Sequence, residues 1–206
     1  MGRPTTPLLD RERIAVAATE LIRRDGDFTL PSLARRLKVR PASIYHHVSG
    51  REEIVELVRE QVVAGIDTEP LLQLPWDEAL VAWARSYRTA FAQHSSTIAA
   101  HATQTIREPT SLTMYERAVG CLTAAGCPSD EVMALITALE SFVLGSALDA
   151  IAPEPMVVAD GRFPALLEAL DHAVTREPRA DRAFEVGLAA LVEGFRPIVG
   201  RYQTVT

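Results

Sequence analysis

At 206 residues, 48% hydrophobic and 23% charged, the chain is long enough for one medium domain or for a small head on a larger body, with ample length to bury a core. The formal charge of −6 alone argues against a nucleic-acid partner, but its placement matters more: residues 1–51 carry 10 Lys+Arg against 5 Asp+Glu, and residues 52–206 carry 11 against 22. A basic head on an acidic body is expected. Cys121 and Cys127, six residues apart with no histidine near them, fit neither a zinc pair nor a disulfide framework. Asp10, Arg11, Glu12 and Arg13 interrupt any leader-like start, and the most apolar run, 132–152, carries Glu140 and Asp149. These features predict a cytoplasmic protein without a membrane partner.

Apolar residues recur at three- and four-residue spacing along nearly the whole chain, and strand-like alternation is missing, so the predicted fold class is all-α. The first helix starts after Asp10 as N-cap and runs to Arg24, with Ile14, Ala17, Ala18, Leu21 and Ile22 inward. Thr29 caps a second helix with Pro31 in its first turn, and Leu33, Ala34 and Leu37 face the core. Lys38-Val39-Arg40 makes a turn, and Pro41 opens a third helix through His47 that buries Ile44. Ser49 and Glu52 have the spacing of a capping box for a fourth helix reaching about Ile66. A linker with two prolines follows. Further helices are expected near 76–93, 96–104, 110–125, 129–152, 164–175 and 180–201, with a loop at 153–162. The predicted organisation is a three-helix head at 1–50, a connecting helix at 51–66 and a larger helical body at 67–206.

The head has the layout of a helix-turn-helix DNA reader. A reading helix places short polar side chains on one face while the other docks on its support helix. Ser43, Tyr45, His46 and His47 can project outward while Ile44 points in. Arg40 and Arg51 flank them as candidate phosphate clamps, and Thr29 stands at a helix start that favours an anion.

These residues carry a resemblance to TetR-family regulators: Thr29, Leu33, Ala34, Leu37 and Val39 precede a reading helix ending in Tyr45, His47 and Val48, followed by Ser49. Trp76, Ser86-Tyr87-Arg88, His94, His101 and 142–145 extend the likeness into the body, in the order seen in tetracycline repressors. The resemblance implies base contacts from Ser43, Tyr45 and His46, and phosphate contacts from Thr29, His47 and Arg51. Where tetracycline repressors place a base-reading arginine on the support helix, this chain has Pro31, so a different operator is implied.

A head of this size reads few base pairs, so two heads about one DNA turn, roughly 34–36 Å, apart are needed. The body is therefore expected to form a homodimer, with a seam on Leu135, Leu139 and Val143 of one helix and Phe184, Gly187, Leu188, Leu191, Gly194 and Phe195 of the last. Tyr87, Phe91, His94, Ile98, His101, Met114, Tyr115 and Phe142 mix aromatic walls with a few polar groups, the composition of a small-molecule pocket. By resemblance, His101 falls where tetracycline repressors ligate a metal, and Asp149 where the other subunit supplies an acid. Their drug-anchoring His and Asn are absent, their places falling near Val62-Val63 and Trp83-Ala84. No cofactor or metal is therefore required, although a metal-chelated effector is conceivable.

The expected function is a ligand-responsive transcriptional regulator that binds a palindromic double-stranded operator and is released by a small hydrophobic effector. A DNA-binding dimer without an effector is the alternative. An all-α enzyme is disfavoured because the chain lacks Glu-x-x-His pairs, a G-x-S-x-G elbow, a phosphate-cradling glycine loop and H-E-x-x-H.

Overall fold

A computed structural model describes residues 9–99, 104–172 and 178–200. These residues form helices joined by turns, with no strand among them. They divide into two compact units, one of Met1–Asp67 with Gln93–Glu116 and the other of Thr68–Ala92 with Arg117–Thr206. Residues 93–116, assigned to the body on sequence grounds, thus group with the head.

In the first unit, α1 (Arg11–Asp25) starts where the Asp10 carboxylate accepts from the Arg13 N–H at 2.8 Å. It ends at Gly26, whose φ of +81° suits a residue without a Cβ. Thr29 caps α2 (Leu30–Leu37), but its reciprocal partner is Ser32, with bonds of 3.2 and 2.9 Å. Lys38 ends α2 in the left-handed region at φ +58°. The reading helix α3 (Pro41–Ile44) is shorter than expected: Tyr45, His46 and His47 form a turn in which the His47 and Val48 N–H groups both donate to the Ile44 carbonyl.

The fourth helix, α4 (Arg51–Val63), is capped by Gly50. The expected Ser49–Glu52 box is replaced by Glu53, whose carboxylate accepts from the Ser49 N–H at 2.7 Å and its hydroxyl at 2.9 Å. α1 packs on α2 and α4 around a core including Ile14, Leu21, Phe28, Leu33, Ile44, Ile54 and Val58. Fully burying one such side chain contributes about 1.5–3 kcal/mol, so this core fixes where the α3 backbone sits.

The second unit contains α5 (Pro70–Gln73), nearly all of α6 (Trp76–Gln93), the C-terminal half of α7 (Pro109–Ala124), α8 (Val132–Asp149), α9 (Pro164–His172) and α10 (Arg179–Val199). α8 packs on α10. Arg88 of α6 ties both to itself: it donates to Ser146 Oγ at 2.9 Å, pairs with Asp181 at 2.7 Å, and lies 4.7 Å from the Phe184 ring centroid. Trp83, Tyr87 and Phe91 form an aromatic ladder on the inner face of α6, with centroids 5.6 and 4.9 Å apart. Although α8 is long and apolar enough to cross a membrane, Leu135, Ile136, Leu139, Glu140 and Val143 are buried within the chain.

Candidate nucleic-acid interface

Ile44 has no exposed surface and Val48 is buried, which pins the short reading element from below. Tyr45 is 54% exposed, His46 is exposed, and Ser43 and His47 are half-buried. The structure thus brings all four polar candidates onto one short element. Thr29 is exposed at the start of α2, and Pro31 lies exposed one residue into that helix.

A polar clamp outside the motif holds this element. Arg11 of α1 donates to the His47 carbonyl at 3.0 Å and pairs with Glu53 of α4, which in turn grips Ser49. The Ser49 N–H, helped by the Ser49 hydroxyl and Arg11, holds the Glu53 carboxyl below the usual carboxylate range against a smaller opposing effect of burial. Sequence inspection missed Arg11 and Glu53. Only the S-x-x-x-E spacing of Ser49 and Glu53 hinted at the second.

Arg51 departs from its expected role as a free phosphate clamp. Its guanidinium donates to the Phe28 carbonyl, pairs with Asp27 at 2.6 Å and lies 4.5 Å from the Phe28 ring centroid. Its hydrogen bond also lowers the Asp27 pKa. The side chain is therefore a brace between α4 and the loop before α2. Arg36 is likewise engaged, with Glu20. Arg35, Lys38 and Arg40 are exposed and form no ion pair among the described residues, so the available positive charge lies along the end of α2 and the turn.

The expected ligand residues divide between the units. Tyr87, Phe91 and Phe142 belong to the second; His94, Ile98, Met114 and Tyr115 belong to the first. Tyr87 is buried and donates to the Glu140 carboxylate at 3.1 Å. Phe142 stacks on Phe184 at 5.6 Å, which accounts for it as packing. Ile98 and Met114 are buried, and His94 and Tyr115 are half-buried. His101 lies outside the described residues. Both Asp149 oxygens pair with Arg179 at 2.8 and 2.9 Å, so that carboxylate is engaged within the chain. No group of three metal-ligating side chains occurs among the described residues.

The expected seam needs correction. Leu135, Leu139, Val143, Phe184, Leu188 and Phe195 are buried in the chain's own core, because one face of α8 packs on one face of α10. Gly187 serves that packing too: a Cβ there would lie 2.5 Å from Phe142 Cε2. Leu191 is half-buried, and Gly194 is exposed with open space around it. The outward faces carry Met133, Leu148 and Val186, at 50%, 47% and 63% exposure, among Ala134, Ala138, Gly145, Ala183 and Ala190.

A support helix anchored in the core by Leu33 and Ala34, a short exposed polar reading element and an adjoining run of unpaired cations define a helix-turn-helix DNA-binding regulator. Residues 69–199 match the family model described as tetracyclin repressor-like, C-terminal domain. The chain belongs to the TetR family of transcriptional regulators. It is 30% identical over 203 residues to the class G tetracycline repressor of Vibrio anguillarum, covering 91% of this chain and 93% of that one. It is 29% identical over 144 residues to an HTH-type transcriptional regulator of Saccharopolyspora erythraea, covering 69% of this chain and 61% of that relative. The fold is similar to that of ligand-free ActR from Streptomyces coelicolor, with a TM-score of 0.78 and 23% identity, covering 96% of this chain and 99% of that one. ActR has also been solved in complex with actinorhodin.

Proposed function

We propose that the chain is a cytoplasmic transcriptional repressor that binds a palindromic operator as a homodimer and is released by a small hydrophobic effector. The observation that carries this reading is the exposed Ser43–His47 element, anchored by Ile44 and bordered by Arg35, Lys38 and Arg40. Ser43, Tyr45 and His46 read base edges in the major groove. His47, the α2 start at Thr29 and the three cations hold phosphates. Arg51 acts by bracing the head.

The dimer forms through the outward faces of α8 and α10. Met133, Leu148 and Val186 are large apolar side chains left exposed, and the small residues between them let helices from a second copy approach. The second unit receives the effector, and the complex of the similar ActR with actinorhodin supports a polycyclic aromatic compound as its class. The aromatic ladder of Trp83, Tyr87 and Phe91 and the acid Glu140 supply the apolar and polar groups that such a molecule meets. Neither the operator contacts nor the release requires a metal.

Selection of duplexes from a random pool by the purified chain tests this reading. A palindrome with half-sites about one helical turn, roughly 10 base pairs, apart is expected, with release by at least one member of a panel of polycyclic aromatic compounds. Val186→Glu should shift sedimentation from dimer to monomer. Selection of no sequence, or a dimer unchanged by Val186→Glu, would contradict the corresponding part.

A further inference from the structure

Asp77, Glu78, Val81, Ala82 and Arg85 fall on one stripe of α6, on the side opposite Trp83 and Tyr87. Facing it, Ala189, Val192, Glu193 and Arg196 fall on one stripe of α10. A groove of about 530 Å³ runs between the two stripes, within the range of sites for small organic molecules, about 300–1,000 Å³. It lies wholly in the second unit and shares no residue with the groups proposed above for the effector.

Ion pairs between the helices mark the two ends of the groove. Arg85 donates to Glu185 at 2.9 and 2.7 Å, and Arg196 pairs with Asp77 at 2.7 Å. The stretch of α6 from Asp77 to Arg85 spans about 12 Å at a helical rise of about 1.5 Å per residue, which is room for two fused aromatic rings. The floor between is apolar: Val192 is buried, Val81 and Ala82 are half-buried, and Ala189 is exposed. The two alanines leave space that larger side chains would fill.

The two ends differ in charge. Arg85 and Glu185 neutralise each other. At the other end one guanidinium, Arg196, serves two carboxylates, Asp77 at 2.7 Å and Glu193 at 2.8 Å. Glu78 also lines that end and forms no ion pair among the described residues. Three carboxylates against one guanidinium leave negative charge uncompensated there. The Arg196 guanidinium lies 5.9 Å from the Trp76 ring centroid, so this end already holds one organic cation against acids and an aromatic face.

We propose that the groove is a small-molecule site, separate from that of the effector, for an amphipathic organic cation: a flat two-ring system carrying a protonated amine. The rings cover the floor of Val81, Ala82, Ala189 and Val192, and the ammonium meets the surplus acid at the Glu78 end. An organic anion fits poorly, because both guanidiniums at the groove are committed to carboxylates. A neutral molecule of the same shape gains only the apolar contact. The site stands independently of the operator and effector readings.

Calorimetric titration of the full-length protein with 1-naphthylmethylammonium, 1-naphthylmethanol and 1-naphthylacetate tests the assignment, because the three share a ring system and differ in charge. The ammonium should bind about tenfold more tightly than either other compound, since each exposed charge pair contributes little by itself. Glu78→Gln, which breaks no ion pair, should weaken ammonium binding about threefold. Ala189→Phe, which fills the trough from an exposed position, should remove it and sediment as wild type does. Equal affinities for the three compounds, or ammonium binding unchanged in both variants, would overturn the proposal. So would a shift of Ala189→Phe from dimer to monomer, which would assign the groove to a second copy of the chain.

Discussion

Arg51→Ala separates a brace from a phosphate clamp. The substitution removes the charge-assisted bond to the Phe28 carbonyl, the contact with the Phe28 ring and the pair with Asp27. A hydrogen bond to a charged group contributes about 1.5–3 kcal/mol, and an exposed cation–π contact about 0.5–1 kcal/mol. The Asp27 pair adds little, since both side chains are well exposed. A net loss of about 2–4 kcal/mol follows on these magnitudes. For a chain of this size each kcal/mol shifts the melting temperature by roughly 2–4 °C, so circular dichroism should record a drop of roughly 4–16 °C if the transition is single. The salt dependence of binding to a scrambled duplex should be unchanged. An unaltered melting temperature with a slope reduced by about one phosphate contact would refute the brace and restore the clamp.

Three further outcomes follow from local geometry. Lys38→Gly should relieve a left-handed conformation that costs an L-residue about 1–2 kcal/mol, raising the melting temperature while weakening DNA binding through loss of a free cation. Gly187→Ala should destabilise the chain by about 1–3 kcal/mol, because its Cβ meets the Phe142 ring; Phe142→Leu in the same chain should recover much of that loss in a thermal double-mutant cycle. The depressed Glu53 and Asp27 pKa values contribute stability that is complete above the ordinary carboxylate range of about 4. That contribution is lost as pH falls through their lower folded values, so denaturant titrations should show a flatter acid limb for Glu53→Gln than for wild type.

The parts legible in the sequence were those set by neighbouring residues. Asp10 and Thr29 cap helices through bonds three residues away, and Ile44 marks the inner side of the reading element by its place among polar residues. Features decided by distant partners were not legible. Whether Glu52 or Glu53 serves Ser49 is settled partly by Arg11, 42 residues before Glu53, and the fate of Arg51 depends on Asp27 and the Phe28 carbonyl. Most residues named for the seam are buried within the chain for another reason: apolar spacing on α8 and α10 marks a surface that must be covered, but does not distinguish the chain's own helix from a second copy. Gly187 looked like part of a close helix–helix approach. It does serve one, but within the chain, where it accommodates the ring of Phe142 on α8.

The central claim, that Ser43–His47 reads sequence, is tested most directly by Tyr45→Ala on the selected palindrome and on a scrambled duplex. Tyr45 is exposed and supports no core packing shown by the structure, so the variant should fold and melt as wild type does. Loss of a base contact should weaken palindrome binding by about 1–3 kcal/mol, roughly 5- to 150-fold, with the scrambled duplex bound as before. Equal losses on both duplexes, or no loss on either, would contradict the account.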